Sequence, residues 1–457
     1  MEKVQQSNKE TELATKKVGP LLFQLALPAI TAQIINLLYN LVDRMYIGHM
    51  KENGALALTG MGVSLPVIML ISAFAALVGY GGAPRASIFL GKGEKDKAEE
   101  TLGNCVTAII CLALLLTVGF RVFCEDILLV FGASAETLPF ALSYMKIYLL
   151  GTIFVQISLG LNMFISSQGF STVSMRTVLI GAVLNIILDP FFIYVLHMGV
   201  RGAALATILS QAVSALWVLR FLTGNRTILR IRKKYLRLRH EVILPVFALG
   251  VSPFIMQSTE SVLGVCFNTS LLKYGGNIAV GSMTILTSVM QFSMLPMQGL
   301  TQGMQPIVSF NYGARNPQRV RKTFVLTLAV ALIYSTLLWA VCMAVPSLPA
   351  MLFTDNRDLI QYSSWALRIY MAAACLMGAQ LACQQTFLAL GNAKVSLFLA
   401  ILRKIILLIP LIYILPNFFE NKVFAVFLAE PVADTLAVTT TVCMFIHSFK
   451  KAMKDIS

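Results

Sequence analysis

This chain carries two copies of one plan. The segment GYGGAPRASIFLGKGEKDKAEET begins at Gly79, and TQGMQPIVSFNYGARNPQRVRKT begins at Thr301, 222 residues later. Without a gap, that shift pairs Gly81 with Gly303, Pro84 with Pro306, Ser87 with Ser309, Gly91 with Gly313, Lys97 with Arg319 and Thr101 with Thr323. It also pairs Gly54 with Gly276, Met61 with Met283, Gly169 with Gly391 and Ser174 with Ser396. A chain duplicated in this way folds as two like units, so any difference between them is informative. The main difference is acid: Asp43 falls on Val265 and Asp189 falls on Leu411.

The solvent of those units follows from composition. Hydrophobic residues make up 57% of the chain and charged residues 12%, with a mean hydropathy of +0.77; a soluble domain is about 25% charged. Apolar runs long enough to cross a bilayer occur at 21–48, 55–82, 102–123, 138–162, 172–196, 200–222, 243–272, 277–304, 324–345, 362–388, 395–416 and 423–447. The expected fold is an all-α polytopic membrane protein with twelve transmembrane helices in two pseudo-symmetric six-helix lobes. Its expected divisions are an N-terminal tail (1–17), an N-lobe (18–222), a basic linker (223–242), a C-lobe (243–449) and a C-terminal tail (450–457).

Lys and Arg in short loops set orientation. Arg226, Arg230, Arg232, Lys233, Lys234, Arg237 and Arg239 follow span six, Lys92, Lys95 and Lys97 follow span two, and Arg315, Arg319, Arg321 and Lys322 follow span eight. All lie on one side only if both termini are cytoplasmic, so a net charge of +15 reads as topology rather than as a nucleic-acid surface. No cleavable signal peptide is visible. The eight Cys form no C-x-x-C pair, the four His fall at span ends, and no phosphate-binding glycine loop is present, so neither zinc, disulfides nor nucleotide is expected. The chain reads as a non-enzyme without a cofactor, driven if at all by an ion gradient.

Polar residues inside the spans fall into two sets. In span one, Asn36, Tyr39, Asn40 and Asp43 share a helical face, and Pro28, fifteen residues before Asp43, makes a bend cheap. In span five Asn185 lies one turn before Asp189, and Thr207 and Gln211 in span six repeat that spacing. These are oxygen ligands suited to a proton or Na⁺. Interhelical glue is the rival account of the amides, but a carboxylate is a costly way to make such a bond. The second copy places Gln257, Glu260 and Ser261 on one face of span seven, and Met290, Gln291 and Met294 in span eight. Neutral hydrogen-bonding groups beside flexible Met suit a tolerant site, with Glu260 as the expected attractor of cations; ordinary packing is the alternative for the Met residues. Glu430 and Asp434 add a pair around Pro431 in span twelve.

Pro28 with Asp43, the run N-I-I-L-D-P from Asn185 to Pro190, Thr207, and G-M-Q-P-I-V-S-F-N-Y-G-A over Gly303–Ala314 together resemble the multidrug and toxic compound extrusion (MATE) family over nearly the whole chain. Within it they are similar to the DinF-like branch and to MepA-type bacterial multidrug exporters. The resemblance implies two lobes around a V-shaped cleft and cation-coupled export of organic cations. It implies coupling roles for Asp43, Asn185, Asp189 and Thr207, with H⁺ or Na⁺ as transported ion, and a cleft-lining role for Asn36 and Asn162. Two features depart from it: Arg44 directly follows Asp43, and Gly378 stands where related transporters carry a second-lobe acid in span ten.

The expectation is therefore a monomeric antiporter of the cytoplasmic membrane that rocks between two states, with Pro28 as hinge and small organic cations as substrates. Two rivals are a lipid-linked saccharide flippase, which needs a cationic cleft, and a non-transporting receptor or channel, against which the duplicated plan argues.

Overall fold

The computed structural model describes residues 2–50, 54–352 and 355–456, apart from the side chains of 2–8 and 55. Among the described residues every regular element is helical. Ten helices are long and apolar enough to span a membrane. One of them, His240–Gly313, runs 74 residues but breaks at Gly276 (φ 68°, ψ −162°), a conformation that only glycine adopts cheaply. It therefore supplies both spans seven and eight. Arg357–Tyr370 and Ala374–Ala389 meet at a 51° bend and together form span ten, which brings the described total to twelve. Span one is Val18–Gly48, unbroken through Pro28; span two is Gly54–Gly91; spans five and six are Ser171–Val195 and Val200–Thr223. Eleven and twelve are Ala393–Asn417 and Lys422–Asp455, so the expected C-terminal tail continues the last helix.

The expected pseudo-symmetry is visible atom by atom. Tyr80 and Gln302 are repeat equivalents, and they touch each other: Gln302 Nε2 donates to the Tyr80 hydroxyl at 3.1 Å. Only residues beside a pseudo-twofold axis can do that. Around it, Gly91 lies against the Phe310 carbonyl while Gly313 lies against that of Ile88, and Ile88 and Phe310 are themselves equivalents. Gly81 meets the Val246 carbonyl, Gly250 meets that of Leu77, and an ideal Cβ on Gly303 or Gly299 would lie 2.5 Å from backbone atoms of Ala26 or Ile30. The lobes thus join backbone to backbone through missing side chains, the close-approach use of small residues in membranes. The join runs towards the end that carries the basic loops. Towards the other end it thins to Phe74 edge-on to Phe254 at 4.8 Å and a 3.8 Å contact from Ser261 Oγ to Met69 Sδ.

Both connecting segments are tied down at the basic end. Gln168 Oε1 accepts from the backbone N–H groups of Ile228 and Leu229 at 2.8 Å, and Asn104 Oδ1 accepts from Arg239 N–H at 2.7 Å. Arg232 pairs with the buried Glu99. At the start of the chain, residues 2–15 form a helix. Its Leu13 carbonyl accepts from Asn311 and Arg319, both at 3.0 Å, and the Lys16 carbonyl accepts from Arg319 at 2.8 Å. A guanidinium over the last carbonyls of a helix satisfies groups the helix cannot pair itself. Each lobe thus holds the segment that leads into the other lobe's first span.

A side chain at the seam should separate the lobes or fail to pack. Gly91→Ala should lower the melting temperature of the detergent-solubilised protein by the cost of overpacking, about 1–3 kcal/mol, whereas Gly62→Ala, with no atom within 4 Å of its Cβ, should not. Equal melting temperatures for the two variants would show that the seam is not close-packed.

Candidate functional site

Span five turns into a π-helical stretch, Phe191–Val195, immediately after Asp189 and Pro190. Such π-turns re-aim the side chains beside them and recur at functional sites. Here the turn accompanies a carboxylate fully shielded from solvent: Asp189 is 0% exposed and Asp43 4%. The two side chains meet within hydrogen-bonding reach across spans one and five. Asn185 Nδ2 donates to Asp189 Oδ1 at 3.3 Å. Among the described residues no Lys or Arg nitrogen comes within 4.0 Å of either acid, and Arg44, the departure from the family pattern, is exposed.

Beside this pair lies a cavity of about 40 Å³, room for a water or a small ion. Asn36, Tyr39, Asn162, Asn185, Thr207 and Gln211 line it, together with Ser158, Thr177, Ser210 and Ser214. The spans deliver these groups because each carries them at one-turn spacing on its inward face. Several buried oxygens at the site have no protein partner: Asp43 Oδ1, Asp189 Oδ2, Asn185 Oδ1, Asn162 Oδ1 and Ser210 Oγ. Thr207 Oγ1 donates to the Ala203 carbonyl at 3.0 Å. Unspent hard-oxygen acceptors around an uncompensated pair of carboxylates fit a proton or a small cation. The four residues expected to couple are thus together in space. Asn36 and Asn162, to which the resemblance gives a cleft-lining role, line this N-lobe cavity, as does Tyr39. Asn40 is exposed and bonds back to the Asn36 carbonyl at 2.6 Å.

The C-lobe departs further from expectation. Glu260 is not a lone anion: Lys404 Nζ lies 2.6 Å from its Oε1. Arg403 is buried in mid-helix, its Nε 2.7 Å from Asp434 Oδ1 and its Nη2 3.6 Å from Glu430 Oε1. Both bases sit in a second π-helical stretch, Leu402–Leu408 of span eleven. The visible signal was Arg403-Lys404 inside the otherwise apolar run LFLAILRKIILLIPLIYIL, two charges that hydrocarbon would not tolerate without partners. Gln257 and Glu260 are exposed on the face where Ser261 reaches Met69 of the N-lobe. Gln291 is exposed, Met294 half-buried, and Met290 packs against the C-lobe core, so Met290 follows the packing alternative. An acid at Gly378 is sterically excluded, since even a Cβ there would lie 2.5 Å from the Ala331 carbonyl. Among the described residues no cluster of His, Cys, Asp and Glu suited to a metal occurs.

Uncompensated buried charge has a measurable consequence. Asp43→Asn or Asp189→Asn should raise the melting temperature at neutral pH by about 1–3 kcal/mol of stability, because each removes a desolvated charge that no protein base answers. A lower melting temperature for both would mean that the charged pair is satisfied within the fold.

The MatE family model matches residues 28–191 and 253–414, one match per lobe. The multidrug export protein MepA of Staphylococcus haemolyticus is 27% identical over 93% of this chain and 91% of its own length. MepA of Staphylococcus aureus is 25% identical over 90% and 91%. Among solved structures, a MATE protein in its bent conformation superposes with a TM-score of 0.90 at 22% identity, covering 98% of this chain and 99% of that one. An outward-facing multidrug-resistance MATE transporter superposes with a TM-score of 0.89 at 22% identity, covering 97% and 98%. Two matched lobes, relatives along almost the whole length and a common fold agree: this chain belongs to the MatE family of multidrug efflux transporters, multi-pass membrane proteins that are not enzymes.

Proposed function

We propose that the protein is an antiporter that exports organic cations across the cytoplasmic membrane, driven by inward movement of H⁺ or Na⁺ through the N-lobe site. The observation that carries this reading is the Asp43–Asp189 pair, two buried carboxylates in contact with no base of their own. Like charges that close cannot both stand bare, so the pair shares a proton or holds a cation. The C-lobe equivalents, Val265 and Leu411, can do neither. The relatives named multidrug export proteins support drug-like substrates, as do the exposed Gln257 and Glu260, with the half-buried Ser261 beside them.

The loop charges support a cytoplasmic basic end, and with it cytoplasmic termini. On that reading the glycine seam closes the cytoplasmic side, and the sparser contact between lobes towards the other end supports an outward-facing state. In the cycle we infer, a cation or proton entering from outside changes the packing of span one about Pro28 and releases the exported cation. The lobes then rock the seam open to the cytoplasm. One charge crossing about 100 mV contributes roughly 2.3 kcal/mol, about a fifty-fold gradient of substrate. The flippase alternative loses ground because Arg403 and Lys404, the two bases beside Glu260, are both paired with acids. The division into an N-lobe of 18–222 and a C-lobe of 243–449, joined by 223–242, and a monomeric state belong to the same proposal.

Vesicles bearing the purified protein test it. An imposed pH or Na⁺ gradient should drive ethidium transport, and Asp43→Asn or Asp189→Asn should each abolish it while leaving expression intact. Near-normal pumping by both variants would end the coupling assignment. Glu260→Gln should weaken transport of a monocationic dye more than that of a zwitterionic drug; equal loss for both would assign Glu260 to folding or to the cycle itself.

A further inference from the structure

The C-lobe cluster contains three acids, Glu260, Glu430 and Asp434, and two bases, Arg403 and Lys404. The two bases are held very differently. Arg403 is gripped from two sides, by Asp434 at 2.7 Å and Glu430 at 3.6 Å, with Nη2 also 3.7 Å from Met377 Sδ. Among the described residues Lys404 has a single hydrogen-bond partner, Glu260 Oε1 at 2.6 Å. Its side chain is 8% exposed and that of Glu260 55%, so the ammonium approaches from the helix wall while the carboxylate faces the gap. An ammonium on a flexible four-carbon stem is a point charge without the fixed fork of a guanidinium, and it can let go of one carboxylate for another. A second carboxylate is at hand. Glu430 is 4% exposed and has as its only base within 4.0 Å, among the described residues, Arg403, the chain neighbour of Lys404.

We propose that Lys404 is a tethered competitor for the exported cation: the substrate's positive group takes Glu260 by displacing the Lys404 ammonium, which moves to Glu430, and returns when the substrate leaves. This rests on the reading of the protein as an exporter of organic cations and adds a specificity-determining and release role for one residue. In a low-dielectric gap a bare Glu260 would hold an organic cation strongly, and turnover would then be limited by release. A resident ammonium offsets that attraction and keeps the carboxylate paired at both ends of the exchange, so no step leaves a bare buried charge. The exchange also asks that the substrate carry its own positive charge. A neutral compound brings nothing to displace the lysine.

Ethidium binding to the purified, detergent-solubilised protein, measured by fluorescence without any gradient, separates this role from transport. Lys404→Met, which keeps the stem and removes the charge, should bind ethidium about tenfold tighter, and its turnover in vesicles should fall. Lys404→Arg, which grips the carboxylate with a fork, should bind several-fold weaker, again as an order-of-magnitude expectation (about threefold or more). In a Glu260→Gln background Lys404→Met should give no gain. Unchanged or weaker binding by Lys404→Met would overturn the proposal. Should that variant not fold, binding by Lys404→Arg equal to or tighter than that of the native protein would overturn it alone. If the native protein binds ethidium but the lysine variants do not differ from it, only the tethered competitor falls. If the native protein binds no organic cation, the export reading falls with it.

Discussion

Charge inside hydrocarbon has to be answered by opposite charge, and the arrangement of this protein's polar groups follows from how each lobe meets that demand. A carboxylate moved out of water loses several kcal/mol of hydration even after relaxation. The C-lobe recovers part of it internally, by turning span eleven through a π-helical stretch so that Arg403 and Lys404 reach Asp434, Glu430 and Glu260. Among the described residues the N-lobe brings no Lys or Arg nitrogen within 4.0 Å of its acid pair. Its π-helical stretch follows Asp189, and the acid meets only an amide, a second acid and a cavity lined with hydroxyls. One lobe is electrically closed to within a single charge, whereas the other is open to an ion from outside. A duplicated fold has thereby divided labour without changing its helix plan.

Much of this was legible in the sequence. The repeat, the twelve spans and the contact of Asp43, Asn185, Asp189 and Thr207 follow from one-turn spacing and the cost of buried acid, and these are local rules. The glycine seam was half legible: Gly81, Gly91, Gly303 and Gly313 stood out as repeat partners, but that each faces the other lobe's backbone is a tertiary fact. The C-lobe network was missed because Glu260 and Lys404 lie 144 residues apart and no periodicity links them. The sequence does place two bases in mid-span, and that alone should have implied nearby acids. Asn36 and Asn162 were expected along the cleft and line the N-lobe cavity, and the reason is related. Helical spacing says which residues share a face, but not whether that face looks into its own lobe or across to the other.

The seam also bears on how an event at the N-lobe acids could reach the C-lobe. Ala26 and Ile30, on either side of Pro28, are the residues against which Gly303 and Gly299 of span eight pack. Asp43 lies fifteen residues further on, roughly 22 Å along the helix. Span one is thus held by the C-lobe at its lower end and lined by the N-lobe cavity at its upper end, and the proline stands within the clamped part. In the repeat, Pro28 corresponds to Gly250, which packs on the Leu77 carbonyl; the same point of the seam is the proposed hinge in one lobe and a close-packing residue in the other. On the proposed cycle a change in the charge held by Asp43 and Asp189 would repack the upper part of span one, and because the lower part is packed against the glycines of span eight, the bend would fall where proline removes a hydrogen bond from the helix ladder. On the proposed cycle this makes the N-lobe the only lobe whose charge state changes with the driving ion, and the clamped proline the point at which that change becomes a movement between lobes.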